Sequence, residues 1–167
     1  MSDRVFDELL WGKGAHVDPV ASIEDLSAEK AGKTIEGFPH SIWQLVSHMT
    51  FWMDYEIKRI ADEAPPYPEH ASLSWPTEAM PPSEKQWSAA KVTFGALLQK
   101  LSTLTQSSAD ALAREVRPTH PGHTKIASSL RSVLWQTLVH NSYHIGQIAV
   151  IRRCLGAWPP RSGGDTW

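Results

Sequence analysis

The chain has one cysteine, Cys154, in 167 residues, so no internal disulfide can form and no paired-cysteine metal or redox motif exists. It lacks any apolar run near the roughly 20 residues that a membrane helix needs. Met1-Ser-Asp-Arg4 does not open the charged-then-apolar pattern of an export signal. Neither sign of charge dominates: 16 Lys and Arg oppose 18 Asp and Glu, for a formal charge of −2. Without a basic field to meet a phosphate backbone, nucleic-acid binding is excluded as the main role. The expectation is a cytoplasmic protein with neither membrane nor nucleic acid as a partner. There is no Ser-His-Asp arrangement and no glycine-rich phosphate loop, and no stretch alternates as a half-buried strand would.

What the chain does have is helical periodicity, twelve prolines, eight tryptophans and eight histidines. Its length suits one domain over residues 1–167 with one sizeable core. Arg4 to Trp11 reads as a short amphipathic start, broken by Gly12-Lys-Gly14 and followed by a helix from about Asp18 to Leu26. A long helix begins at Pro39 or Ser41, where Ser41-x-x-Gln44 has the form of a capping box, and runs to about Glu63 before Pro65-Pro66. Its Ile42, Leu45, Val46, Met49, Met53, Ile57 and Ile60 keep a helical period.

From Ala64 to Pro82 six prolines and no period mark a surface connection, whose Ser74-Trp75-Pro76 tip offers an aromatic ring to the core or to a pocket mouth. A third helix opens at Ser83-x-x-Gln86 and continues to about Ala113; a loop follows over Arg117 to Lys125. A fourth helix runs from about Ser128 to Leu155, stopped by Gly156 and Pro159-Pro160. Each long helix has an apolar stripe that must be buried. The fold class is therefore all-α, a four-helix bundle with a proline-rich crossover between the second and third helices.

The histidines carry the functional signal. His140 and His144 stand four apart, about 40° around a helix and about 6 Å along it, so both can point at one ion. Eight histidines in this length give such a pair by chance often enough that spacing alone says little. Its surroundings say more: Gln136, Thr137 and Gln147 share that face with Val133 and Ile151, a polar belt within an apolar stripe. Buried polar groups need partners.

On the second helix His48 shares a face with Gln44, Leu45, Trp52 and Tyr55. Alone it reads as a core histidine bonded to a carbonyl. Facing a two-histidine belt, it completes a three-nitrogen site with open positions, the usual form of catalytic metal sites. A histidine-bearing core without metal stays open as a reading. Trp52 and Tyr55, with Gln136 and Gln147, are candidates for pocket walls or for hydrogen bonds that support the imidazoles, as is Asn141; packing is the plainer role for each. Cys154, about 15 Å along the helix from His144, is too far to share the ion and reads as a small core residue. His120 and His123 read as solvated loop residues, His16 as closing the bundle, and His40 as a helix-start residue.

The segment His140-Asn-Ser-Tyr-His144-Ile-Gly-Gln147-Ile, preceded by Ser132-Val-Leu-Trp135, closely resembles the last helix of the DinB-like superfamily. Pro39-His-Ser-Ile-Trp43-Gln-Leu-Val-Ser-His48-Met resembles its second helix. Gly14-Ala-His16-Val-Asp-Pro19 and the ending Gly156-Ala-Trp158-Pro-Pro-Arg-Ser-Gly-Gly164-Asp-Thr-Trp167 are similar to one branch of it. The resemblance spans nearly the whole chain. It implies a four-helix bundle, a homodimer, and a divalent metal ion (nickel, zinc or iron) on the positions of His48, His140 and His144. It also implies a transferase conjugating a low-molecular-weight thiol to small electrophiles.

Physically, three neutral imidazoles leave a cation its full charge, and a vacant position lets it lower the pKa of bound water or thiol. A nucleophile at neutral pH follows, for a thiol transferase or for a hydrolase. No residue stands out as a general base, and ligand type does not choose the metal. The alternative to an enzyme is a non-catalytic, stress-associated protein whose ion fastens two helices.

Overall fold

The computed structural model describes residues 4–119 and 129–164. Among them all regular structure is helical: α1 (Arg4–Leu10), α2 (Ala28–Ala31), α3 (Ile42–Ile60), α4 (Glu84–Thr105), α5 (Ala109–Ala113) and α6 (Leu130–Cys154), with 3-10 turns at Ala21–Ile23 and Ala71–Ser74. The chain has the all-α class expected from its periodicity. Three helices are long. α3 packs against both α4 and α6, and the seven-residue α1 also packs against α4 and α6. No helix among the described residues is long and apolar enough to cross a membrane.

Serine caps set the helix starts. Ser41 accepts a hydrogen bond from the Gln44 backbone N–H, and Gln44 Oε1 accepts one from the Ser41 N–H, the capping box read from the sequence. Ser83 caps α4 and Ser129 caps α6 in the same way, without the reciprocal bond. From these starts the apolar stripes converge: Ile42, Leu45, Met49 and Met53 from α3, Phe94, Leu98 and Leu101 from α4, and Leu134, Ile145 and Ile148 from α6 are all buried. Trp87 is fully buried among them, its indole Nε1–H donating to the Leu26 carbonyl at 2.7 Å.

Four expectations need correction. Asp18 to Leu26 is not an α-helix, because Asp18 Oδ1 accepts from the Val20 and Ala21 N–H groups and turns the chain into the 3-10 turn. α4 ends at Thr105 instead of Ala113, since Ser108 caps the separate α5 by accepting from the Ala111 N–H. α3 ends at Ile60 instead of about Glu63; Asp62 already has φ of 62°. Cys154 is exposed at the end of α6, not a core residue. The expected loop beyond Thr119, with His120 and His123, and the terminal Trp167 lie outside the described residues, as does the expected fourth-helix start at Ser128.

The end of α6 is stitched to the N-terminal segment by one buried cation. Arg152 is 1% exposed; its Nε donates to the Ala157 carbonyl, Nη1 to the Ser22 carbonyl at 2.9 Å, and Nη2 to Asp25 Oδ1 at 2.7 Å. Desolvation would raise the Asp25 pKa, but the Arg152 guanidinium together with backbone hydrogen bonds outweighs it, and the carboxyl lies below its ordinary value. Arg152→Ala leaves these acceptors without their donor and is expected to cost about 3 kcal/mol, a fall in melting temperature of roughly 10 °C by thermal unfolding.

Candidate metal centre

The site lies where α3 and α6 face each other beneath the connection from α3 to α4. That connection is held down at the start of α3, where the capping pair serves twice. Gln44 Nε2 donates to the Pro76 carbonyl at 2.9 Å and Ser41 Oγ to the Ala79 carbonyl at 2.5 Å. Gly32 lets the same segment pass close, since a Cβ there would stand 2.7 Å from Met80 Cα. The outcome is that Ser74 and Trp75 lie against α3 at His48.

His48, His140 and His144 each offer a ring nitrogen, and these atoms all lie within 4.8 Å of one another. His140 Nε2 is 3.0 Å from His48 Nε2 and 3.2 Å from His144 Nε2. The opposite nitrogens fix the tautomers. Ser74 Oγ donates its only proton to the Ala71 carbonyl at 2.6 Å, so it accepts from His48 Nδ1–H at 2.8 Å. Gln147 Nε2 donates to the Tyr143 hydroxyl, which turns Oε1 to accept from His144 Nδ1–H at 2.7 Å. His48 and His144 therefore carry lone pairs on Nε2, both aimed at His140. A single proton on His140 Nε2 can satisfy only one of them.

A cation satisfies all three. Nitrogens about 2.0–2.1 Å from one ion, at right-angled to tetrahedral angles, stand about 2.9–3.4 Å apart, and the two short separations fall in that range. The donor set fits a divalent metal.

Burial keeps the imidazoles neutral, the state in which they ligate. It pushes the His48 pKa down to about 3 and the His140 pKa down to about 4, with the neighbouring histidines adding to both shifts. Burial also lowers the pKa of His144. The Trp75 ring is sandwiched between His48, at 3.7 Å between centroids and 8°, and His40, at 3.8 Å and 10°. Its edge meets His144.

A family model described as the DinB family matches residues 1–164. The chain belongs to the DinB family. No curated protein and no solved structure matches it. In this DinB chain the three-histidine group can hold a metal ion. The other residues named from the sequence fare differently. Gln147 meets His144 as described, and Trp52 is half-buried with its ring edge-on to His48 at 6.4 Å. Tyr55 is buried one step further out, its ring against Trp52 and Tyr67 and its hydroxyl bonded to Thr119 Oγ1. Gln136 is exposed and makes no hydrogen bond to the histidines. Asn141 is buried beside His140.

Sequence reasoning missed Ser74 and gave His40 only a helix-start role. The Ser74-Trp75-Pro76 tip carried a signal for Trp75 as a pocket or core aromatic, but nothing in the sequence paired the serine with an imidazole.

The depressed histidine values set a pH dependence. In the unfolded chain these imidazoles regain the ordinary value near 6.5, so below it the unfolded state binds more protons and stability falls with pH. With a chelator present, stability is expected to be full above pH 6.5 and lost as pH drops toward 4. Melting temperatures of wild type and His140→Gln over pH 4.5–7.5 check this: the variant's acid loss is expected to be the shallower.

Proposed function

We propose that the protein is a metal-dependent enzyme that conjugates a low-molecular-weight thiol to small electrophiles, with His48, His140 and His144 as ligands of a divalent ion. The observation that carries the reading is the set of committed Nδ1–H bonds, which leaves two, and in the right protonation state three, Nε2 lone pairs on one point. A divalent ion held by neutral imidazoles supplies undiminished positive charge, which favours the deprotonated form of a thiol sharing its site.

The chain's own residues do the rest. Ser74 and Gln147 hold two imidazoles in their tautomers and orientations, the usual task of the groups behind metal ligands. Trp75 covers the face of His48 and keeps water from it. Trp52, with Tyr55 and Tyr67 beside it, forms an aromatic wall suited to the apolar part of an electrophile. Among the described residues the hydrogen-bond partners of the triad are Ser74, Gln147 and the histidines themselves, and none is a carboxylate.

Elemental analysis of protein purified without an affinity tag or chelator tests the site. About one nickel, zinc or iron per chain is expected in wild type, and none in His48→Ala or His144→Ala. Metal absent from wild type even after incubation with divalent ions would sink the proposal. Ser74→Ala is expected to retain the ligands but weaken metal affinity about 10- to 100-fold in a competition titration with a chromogenic chelator. Thiol consumption assayed with a panel of small electrophiles is expected to depend on the metal and to vanish in His144→Ala.

A further inference from the structure

On the far side of α6 from the histidines lies a cavity of about 640 Å³, between the His16 loop, the last turns of α6 and the segment from Trp158 to Gly164. Val17, Ile145 and Ala149 give it an apolar floor. Among the described residues that line it, the ionisable ones are His16 and Arg153. Arg153 has no ion pair among the described residues. Its guanidinium is pinned 3.9 Å over the Trp158 ring, and its one hydrogen bond is a 3.5 Å contact to the Ala149 carbonyl. A stacked guanidinium keeps its in-plane N–H groups free for a carboxylate fork.

His16 has a defined polarity too. Its Nδ1–H donates to the Val17 carbonyl at 2.8 Å, so the nitrogen left for a ligand, Nε2, is an acceptor. The glycines complete the cavity. A Cβ on Gly146 would meet nothing within 4 Å, so this lining position is open space and not packed interior.

We propose that this cavity is a binding site for a small organic carboxylate with a flat apolar body and a hydroxyl donor. Arg153 holds the carboxylate, the apolar floor takes the body, and His16 Nε2 accepts from the hydroxyl. One fixed cation and one fixed acceptor over an apolar floor are the few convergent polar groups that small-molecule sites use. The site shares no residue with the metal centre and does not depend on it.

The probe is 4-hydroxybenzoate, followed by amide chemical shifts of the full chain, both metal-loaded and chelator-treated. Expected is millimolar or tighter binding that moves the Gly146, Ala149 and Gly163 amides alike in both preparations. 4-Hydroxybenzyl alcohol, which lacks the carboxylate, is expected to bind about tenfold more weakly or not at all. Arg153→Gln is expected to weaken the acid about tenfold. Gly146→Leu fills the cavity without meeting other atoms at its Cβ, and a leucine suits a helix better than glycine. It is expected to abolish binding with the helical circular dichroism unchanged. The proposal is overturned by no shift at about 10 mM acid, by shifts confined to the His48 and His144 surroundings, by equal binding of the neutral alcohol, or by a Gly146→Leu protein that binds as wild type does.

Discussion

An imidazole has two nitrogens, and a partner on one decides what the other can do. That constraint organises this molecule. His48 spends Nδ1 on Ser74 and His144 spends Nδ1 on Gln147, so each must present an acceptor at Nε2. Both acceptors are turned inward, onto a third imidazole, in surroundings dry enough to hold the histidines neutral. Lone pairs gathered in this way are a cost in an ordinary core and an asset around a cation. The proline-rich connection brings both the serine that binds His48 Nδ1 and the tryptophan that covers its ring face.

The same constraint bears on α3 and α6, the two long helices that hold the ligands. Ligands four residues apart need a straight, well-packed helix to stay in register, and α6 has buried residues along its whole length, from Leu130 to Arg152. α3 is fixed at its start by a capping box whose two side chains also anchor the covering segment. Local helix chemistry and site construction thus share atoms. A change at Ser41 or Gln44 acts on the helix start and on the cover over His48 together.

The helices and the His140–His144 pair were legible because they are periodic or local, whereas His48, 92 residues from His140, joined them only through the fold that the bundle and the family resemblance imply. Ile42, Leu45, Met49 and Met53 repeat at helical spacing, Ser41 and Gln44 are three apart, and His140 and His144 are one turn apart. The short elements were not: Asp18 bends its own neighbourhood into a turn, and Ser108 restarts a helix that apolar residues suggest is continuous. Ser74 lies 26 residues from His48, and their hydrogen bond comes from how the connection folds back. Gln136 shows the limit of counting angles. It shares the nominal face of His140, but it sits a turn earlier along α6, and the structure leaves it exposed.

The Arg152 stitch also orders events in time. Its hydrogen bonds to Ser22 and Asp25 span 130 and 127 residues of chain, and contacts of such separation form late because loop closure must come first. During synthesis on the ribosome the first 25 residues emerge long before their anchor exists. Until the last helix has been made, the N-terminal segment has only its α4 partners, among them the Trp87 bond to the Leu26 carbonyl. A chain stopped before Arg152 would keep the α4 contacts of its N-terminal segment but lose this clasp, and quality-control proteases would meet that end loosened.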